Sequence, residues 1–318
     1  VEHDFAEQVA ALEKRCPTQE TLTVKCPGCA AEVTPKPNVT SFPCPYCGTD
    51  IIAVARSTKQ IKPGALLPFL IKREQAQQAF RTWIRSRWFA PSKLKSQAGI
   101  DETLAGMYMP YWTYDCRTRT AYSGARGDAY YVTESYSVVV NGRSERRTRQ
   151  VRKIRWSSAS GVVPNEFDDV LVAASSSLPP ELLHGLEPWD LKNVVPYQDD
   201  YLSGFAAESY QLDLSGGFQS AKGIMEPEIR STVRGDIGGD EQRIDRMDVH
   251  YNDIRFKHLL LPVWVSAYRY KGKVFRFLVN ARTGEVQGNR PYSAVKIAAL
   301  VVAILIVVGI IALIASQR

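Results

Sequence analysis

Four of the six cysteines stand in two pairs, Cys26-Pro-Gly-Cys29 and Cys44-Pro-Tyr-Cys47, with fourteen residues between the pairs. Two residues between cysteines make a tight turn that aims both thiolates at one point, and a second such turn completes a tetrahedron around a metal ion. Pro27 and Pro45 stiffen the turns by fixing φ, and Gly48 supplies permissive backbone after the second pair, where the first has Ala30. The alternative, two disulfides in a secreted module, fits this spacing poorly. Cys26, Cys29, Cys44 and Cys47 are therefore read as ligands of one structural Zn2+. Four thiolates leave no open coordination position, so the site clamps the chain and does not catalyse. Roughly 30 residues of ribbon bury little core, so the metal must supply most of its folding free energy. Cys16 and Cys116 lie outside the pattern and read as plain surface or core cysteines.

A second group of residues carries charge. Asn141-Gly142 is a hairpin turn signal, preceded by the Tyr- and Val-rich run 130–140 and followed by RSERRTRQVRKIRW. At period two Arg147, Arg149, Lys153 and Arg155 share a strand face, with Arg152 beside them. These five form a possible anion-binding patch for nucleic acid or lipid headgroups. A solvated hairpin whose charges discourage edge pairing explains them better. The acidic stretch Asp236, Asp240, Glu241, Asp245, Asp248 and Asp253 contains His250 and reads as a solvated strand face. No phosphate-binding Walker loop, G-x-S-x-G or H-E-x-x-H motif is present, and the four histidines are scattered. No enzyme is expected.

The elements that hold these groups are legible in outline. The chain has 318 residues, 45% hydrophobic and 23% charged, with a net charge of +7. That is ordinary globular usage, which excludes a disordered chain or a polytopic membrane protein and permits an anionic partner without demanding one. Residues 1–18 pattern as an amphipathic helix, 19–57 as the ribbon and 58–292 as an α+β domain with a mainly antiparallel sheet. Within that domain Ala76, Ala79, Phe80, Trp83 and Ile84 make one helical face with Arg73, Arg81 and Arg85 off it. A helix covering a sheet explains this better than one lying on a membrane. Residues 216–237 read as a helix interrupted near Pro227, and 244–256, 261–270 and 273–279 as successive strands.

Residues 293–318 read as a single transmembrane anchor. Ile297 to Ala315 is an unbroken apolar run in which thirteen residues are Leu, Ile or Val. As a helix it spans about 28 Å, close to a hydrocarbon core of roughly 30 Å. Arg282, Arg290 and Lys296 precede it and Arg318 alone follows, which places the N-terminal bulk in the cytoplasm. Zinc thiolates require the same reducing side. The expected topology is single-pass and tail-anchored in the cell (inner) membrane.

Several segments together resemble a bacterial family of membrane-anchored zinc-ribbon proteins. They are CPGC…CPYCG, RSRWFAP, MPYWTYDC, PYQDDYLSGFAAESY and LLPVWVSAYRYKGKVFRFLVNARTGEVQGNRPYS, and the likeness runs from Leu22 onward. The family is often labelled transcription-factor-IIB-type zinc ribbon, or primosomal protein N′ (replication-restart helicase)-like. The second label rests on the cysteines alone, and without a P-loop no helicase activity carries over. The resemblance implies that the four cysteines bind zinc and that the apolar run is an anchor, and it supplies no catalytic residues. It also implies an adaptor that recruits protein partners to the membrane, beside scaffolds of the SPFH (flotillin-like) or phage-shock type. The competing expectation is a membrane-tethered nucleic-acid-binding protein using the ribbon and the basic hairpin.

Overall fold

The computed structural model describes residues 5–16, 18–34, 41–52, 56–92, 104–140, 143–270 and 273–316. It is a mixed α+β fold with mostly antiparallel pairing. Two compact units are formed. One comprises Val1–Ala10, Thr113–Val172 and Leu214–Phe256, and the other Ala11–Trp112, Ala173–Asp213 and Lys257–Arg318.

The cysteine pairs lie in the second unit. After helix α1 (Phe5–Arg15), strand β1 (Thr18–Lys25) pairs antiparallel with β2 (Glu32–Val33), Val24 opposite Val33. Then β3 (Ser41–Pro43) pairs with β4 (Asp50–Ile52), Phe42 opposite Ile51. Each cysteine turn is thus the loop of a short hairpin. Strand β5 (Arg56–Ile61) returns along β1 and closes a three-stranded sheet.

The rest of this unit is a sheet covered by a helix. Strand β6 (Ala65–Leu66) lies antiparallel to β9 (Val195–Pro196) and parallel to Leu259–Leu260 of β11 (Glu241–Tyr270). From Val263 onward β11 pairs with β12 (Lys273–Asn280), which pairs with β13 (Val286–Gly288). Strand β10 (Ala206–Ala207) runs parallel to the start of β7 (Ala105–Val140). The two strands expected at 244–256 and 261–270 are one. Pro262, which has no N–H to give a ladder, falls between the residues paired to β6 and those paired to β12.

Helix α2 (Arg73–Ser86) covers β12. Ala76, Phe80, Trp83 and Ile84 are buried against Trp264, Phe277, Val279 and Val286, with Phe80 and Phe277 stacked at 3.7 Å between ring centroids. Phe80 and Ile84 are fully buried, and each such side chain contributes about 2–3 kcal/mol. The expected face and the buried face are the same.

In the first unit β7 from Thr113 onward is flanked by β8 (Arg143–Ala173) and by β11 up to Phe256. The Asn141-Gly142 turn lies outside the described residues. Beyond the short helix α3 (Pro180–His184) in the second unit, α4 (Leu214–Ile237) packs on the first unit's sheet. Phe218 meets Tyr114 and Tyr251, Met225 Sδ lies 3.5 Å from Cys116 Sγ, and Val233 and Ile237 cluster with Tyr122 and Val163. The helix runs unbroken through Pro227. The buried face from Leu214 to Ile237 outweighs the lost hydrogen bond. The chain closes with α5 (Ala294–Ser316).

Candidate metal centre

The two cysteine turns are built alike. Cys26 N–H donates to Ala31 O at 2.8 Å and Ala30 N–H to Cys26 O at 2.9 Å. In the other turn Cys44 N–H donates to Thr49 O at 2.8 Å and Gly48 N–H to Cys44 O at 2.8 Å. The residue after each second cysteine is left-handed, with φ 60° at Ala30 and 73° at Gly48. The hairpins therefore face each other with near-identical loops, and their four thiols meet.

All four Sγ atoms lie within 4.8 Å of one another. Cys26 Sγ is 3.6 Å from Cys47 Sγ, and Cys29 Sγ is 3.7 Å from Cys44 Sγ. A disulfide needs about 2.05 Å. A tetrahedral ion with metal–sulfur bonds of about 2.3 Å holds its sulfurs about 3.8 Å apart. The spacing is compatible with a bound metal ion and not with disulfides, and all six cysteines are free. Gly28 N–H points at Cys26 Sγ (3.3 Å), and Thr49 Oγ1 lies 3.2 Å from Cys47 Sγ. Burial raises the Cys29 thiol to about 11 and raises the Cys44 thiol further. Burial acts the same way on Cys47, but hydrogen bonds from the Thr49 hydroxyl and backbone outweigh it and bring that thiol to about 7. Neutral thiols packed this closely gain little from one another, and a cation that makes them thiolates resolves the cost. Among the described residues the grouped ligand atoms are four sulfurs, and these donors fit one soft or borderline metal ion.

The second turn is also anchored into its unit, through residues the sequence did not single out. Tyr46, between Cys44 and Cys47, is fully buried. Its hydroxyl donates to Glu208 Oε2 at 2.6 Å, and its carbonyl accepts from Arg276 Nε at 3.0 Å. Glu208 also accepts from Ser175 Oγ (3.0 Å), Gln211 Nε2 (2.8 Å) and Ser177 Oγ. Burial raises the Glu208 carboxyl and moves the Tyr46 phenol well above its usual value. On the first turn's side Thr34 Oγ1 and Ser209 Oγ are 2.9 Å apart. The cluster thus sits on a buried polar floor.

The basic residues lie on exposed β8, and the structure gives most of them partners within the first unit. Arg149 and Lys153 both reach Glu134 (3.6 and 3.0 Å), Arg152 reaches Glu241 (2.8 Å) and Arg147 reaches Glu145 (3.3 Å). Arg149 lies over the Tyr136 ring and Arg155 over Tyr130. Asp248 and His250 are an exposed pair at 3.7 Å. Asp115, Asp168 and Asp169 bring their carboxylates within 4.8 Å of one another, a grouping no sequence pattern announced, and no ligand is assigned to it. His258 is a buried core residue. Its Nδ1 lies 2.9 Å from Ile61 O, its ring packs on Trp112, and burial lowers it to about 4.

The helix α5 is long and apolar enough to cross a membrane. Ala294–Ala312 has a mean hydropathy of 3.0 and none of it is buried.

The chain is similar to a protein of Bacillus subtilis (strain 168) described as uncharacterized protein YdjG. The two are 26% identical over 249 residues, which is 78% of this chain and 69% of that protein. No protein-family model and no solved structure matches the chain.

Proposed function

We propose that this chain is a membrane-anchored zinc-ribbon adaptor that recruits a protein partner to the cytoplasmic face of the cell membrane. The observation that carries the reading is the closed four-thiol cluster standing on the Tyr46–Glu208 floor. With four sulfur donors and no open position, zinc there has a structural role: it fixes the shape of a surface. The apolar helix α5 supplies a means of attachment, and the basic flank before it favours a cytoplasmic bulk. Membrane scaffolds of the SPFH or phage-shock type are the partners the family resemblance puts first.

The test is affinity purification of the full chain from detergent extract beside a Cys26→Ser, Cys29→Ser variant. A protein recovered with the wild type and lost with the variant supports the adaptor reading. Recovery of no specific protein by a wild type carrying its metal would count heavily against it. Nucleic-acid binding is a weaker reading, because Glu134, Glu145 and Glu241 already hold Arg147, Arg149, Arg152 and Lys153.

A further inference from the structure

The turn after α2 is tied to the start of the apolar helix. Lys296 Nζ donates to the carbonyls of Trp88 (3.0 Å) and Ala90 (2.9 Å), and Ser293 N–H donates to Phe89 O at 2.8 Å. Trp88 nevertheless turns its ring outward and is 72% exposed, with Tyr292 at 61% and Val295 at 78%. An indole and a phenol left in water at the foot of an apolar helix match the aromatic belt that membrane proteins place at headgroup level.

Two arginines lie beside these rings. Arg87 Cζ is 5.0 Å from the centroid of Trp83, and Arg290 Cζ is 5.9 Å from the same ring and 5.3 Å from that of Tyr292. Trp83 Nε1, Arg87 Nε and Arg290 Nε are buried with no hydrogen-bond partner. Among the described residues neither guanidinium has a carboxylate within 4.0 Å, unlike the arginines of β8. Two guanidiniums that share one ring and have no carboxylate partner among the described residues suit an anion, and Arg presents the forked geometry that phosphate fills.

We propose that Arg87–Ala90 and Arg290–Lys296 together form a seat for the phospholipid headgroups of the bilayer that takes α5. Trp88 and Tyr292 enter the interface, and Arg87 and Arg290 hold lipid phosphate. Lys296 spends its charge on two protein carbonyls at the same level, so it does not pull the helix out of register. The seat rests on the anchor reading given above and deepens it: the second unit stands at a set height on the membrane instead of hanging from a free linker.

The test uses the full chain and its Trp88→Phe variant, reconstituted in phosphatidylcholine–phosphatidylglycerol vesicles with acyl chains brominated near the headgroup. Alkaline carbonate extraction reports the anchor separately. The fluorescence present in wild type and missing from Trp88→Phe isolates Trp88 from the other five tryptophans. That component should fall about twofold or more in brominated lipid and be shielded from acrylamide, as for an indole at the interface. An Arg87→Gln, Arg290→Gln variant should resist carbonate but lose a large part of the quenching; unchanged quenching would remove the arginines from the seat. Carbonate resistance with a Trp88 component open to acrylamide and untouched by bromine would overturn the seat and leave the anchor standing. Release of the wild type by carbonate would overturn both.

Discussion

Ala30 and Gly48 hold equivalent places in the two cysteine turns, yet only one is the residue a left-handed backbone prefers. A left-handed residue other than glycine costs roughly 1–2 kcal/mol. Ala30→Gly should therefore raise the stability of the metal-loaded ribbon by up to about 1 kcal/mol, after the added freedom of the unfolded chain is deducted, and Gly48→Ala should lower it comparably. Thermal unfolding of the metal-loaded protein reads both. Tyr46→Phe removes one of the donors that satisfy the buried Glu208 and should cost about 1–3 kcal/mol, measured by urea denaturation at neutral pH. His258 gives the pH dependence. Its folded value of about 4 lies below the ordinary 6.5, so the unfolded chain takes up its proton first as pH falls. Stability from this group is complete above pH 6.5 and is lost between there and about 4, on the order of 3 kcal/mol. His258→Gln should flatten the wild-type slope across that window, and an unchanged slope would assign it elsewhere. The cysteines were legible because metal-ligand spacing is local. Glu208 was not, because the tyrosine it serves is 162 residues away and no spacing links the two.

At the scale of elements, α2 followed from its apolar period: the face containing Ala76, Phe80, Trp83 and Ile84 is the one that packs on β12. Sequence reasoning stopped at two expected breaks. Pro227 is carried through α4 by packing, and the gap expected at 257–260 is bridged by pairing, neither of which single-residue propensities contain. Pro227 is exposed in α4, so Pro227→Ala should restore a helix bond without disturbing the core. We expect a gain of about 1–3 kcal/mol in the first unit, seen as a higher thermal midpoint, whereas a helix truly broken at 227 would gain nothing. The hairpin charges were placed correctly on one exposed strand, but their carboxylate partners on β7 and β11 come from pairing that the sequence did not reveal.

For the whole molecule, the proposed function divides the work between the four-cysteine cluster, which would shape a surface, and the apolar C-terminal helix, which would attach it. On that proposal the zinc thiolates would need a reducing compartment, the side the flanking charges would also favour. An adaptor reading depends on the clamp being closed, since an open metal position would admit chemistry and a pair of disulfides would move the chain to another compartment. Zinc-edge X-ray absorption on the full chain in detergent, with metal content from the same sample, tests this most directly. One zinc per chain surrounded by four sulfurs at about 2.3 Å is the predicted result. A chain without stoichiometric metal, lighter by the hydrogens of two disulfides, or a zinc with an oxygen neighbour in place of one sulfur, would contradict it.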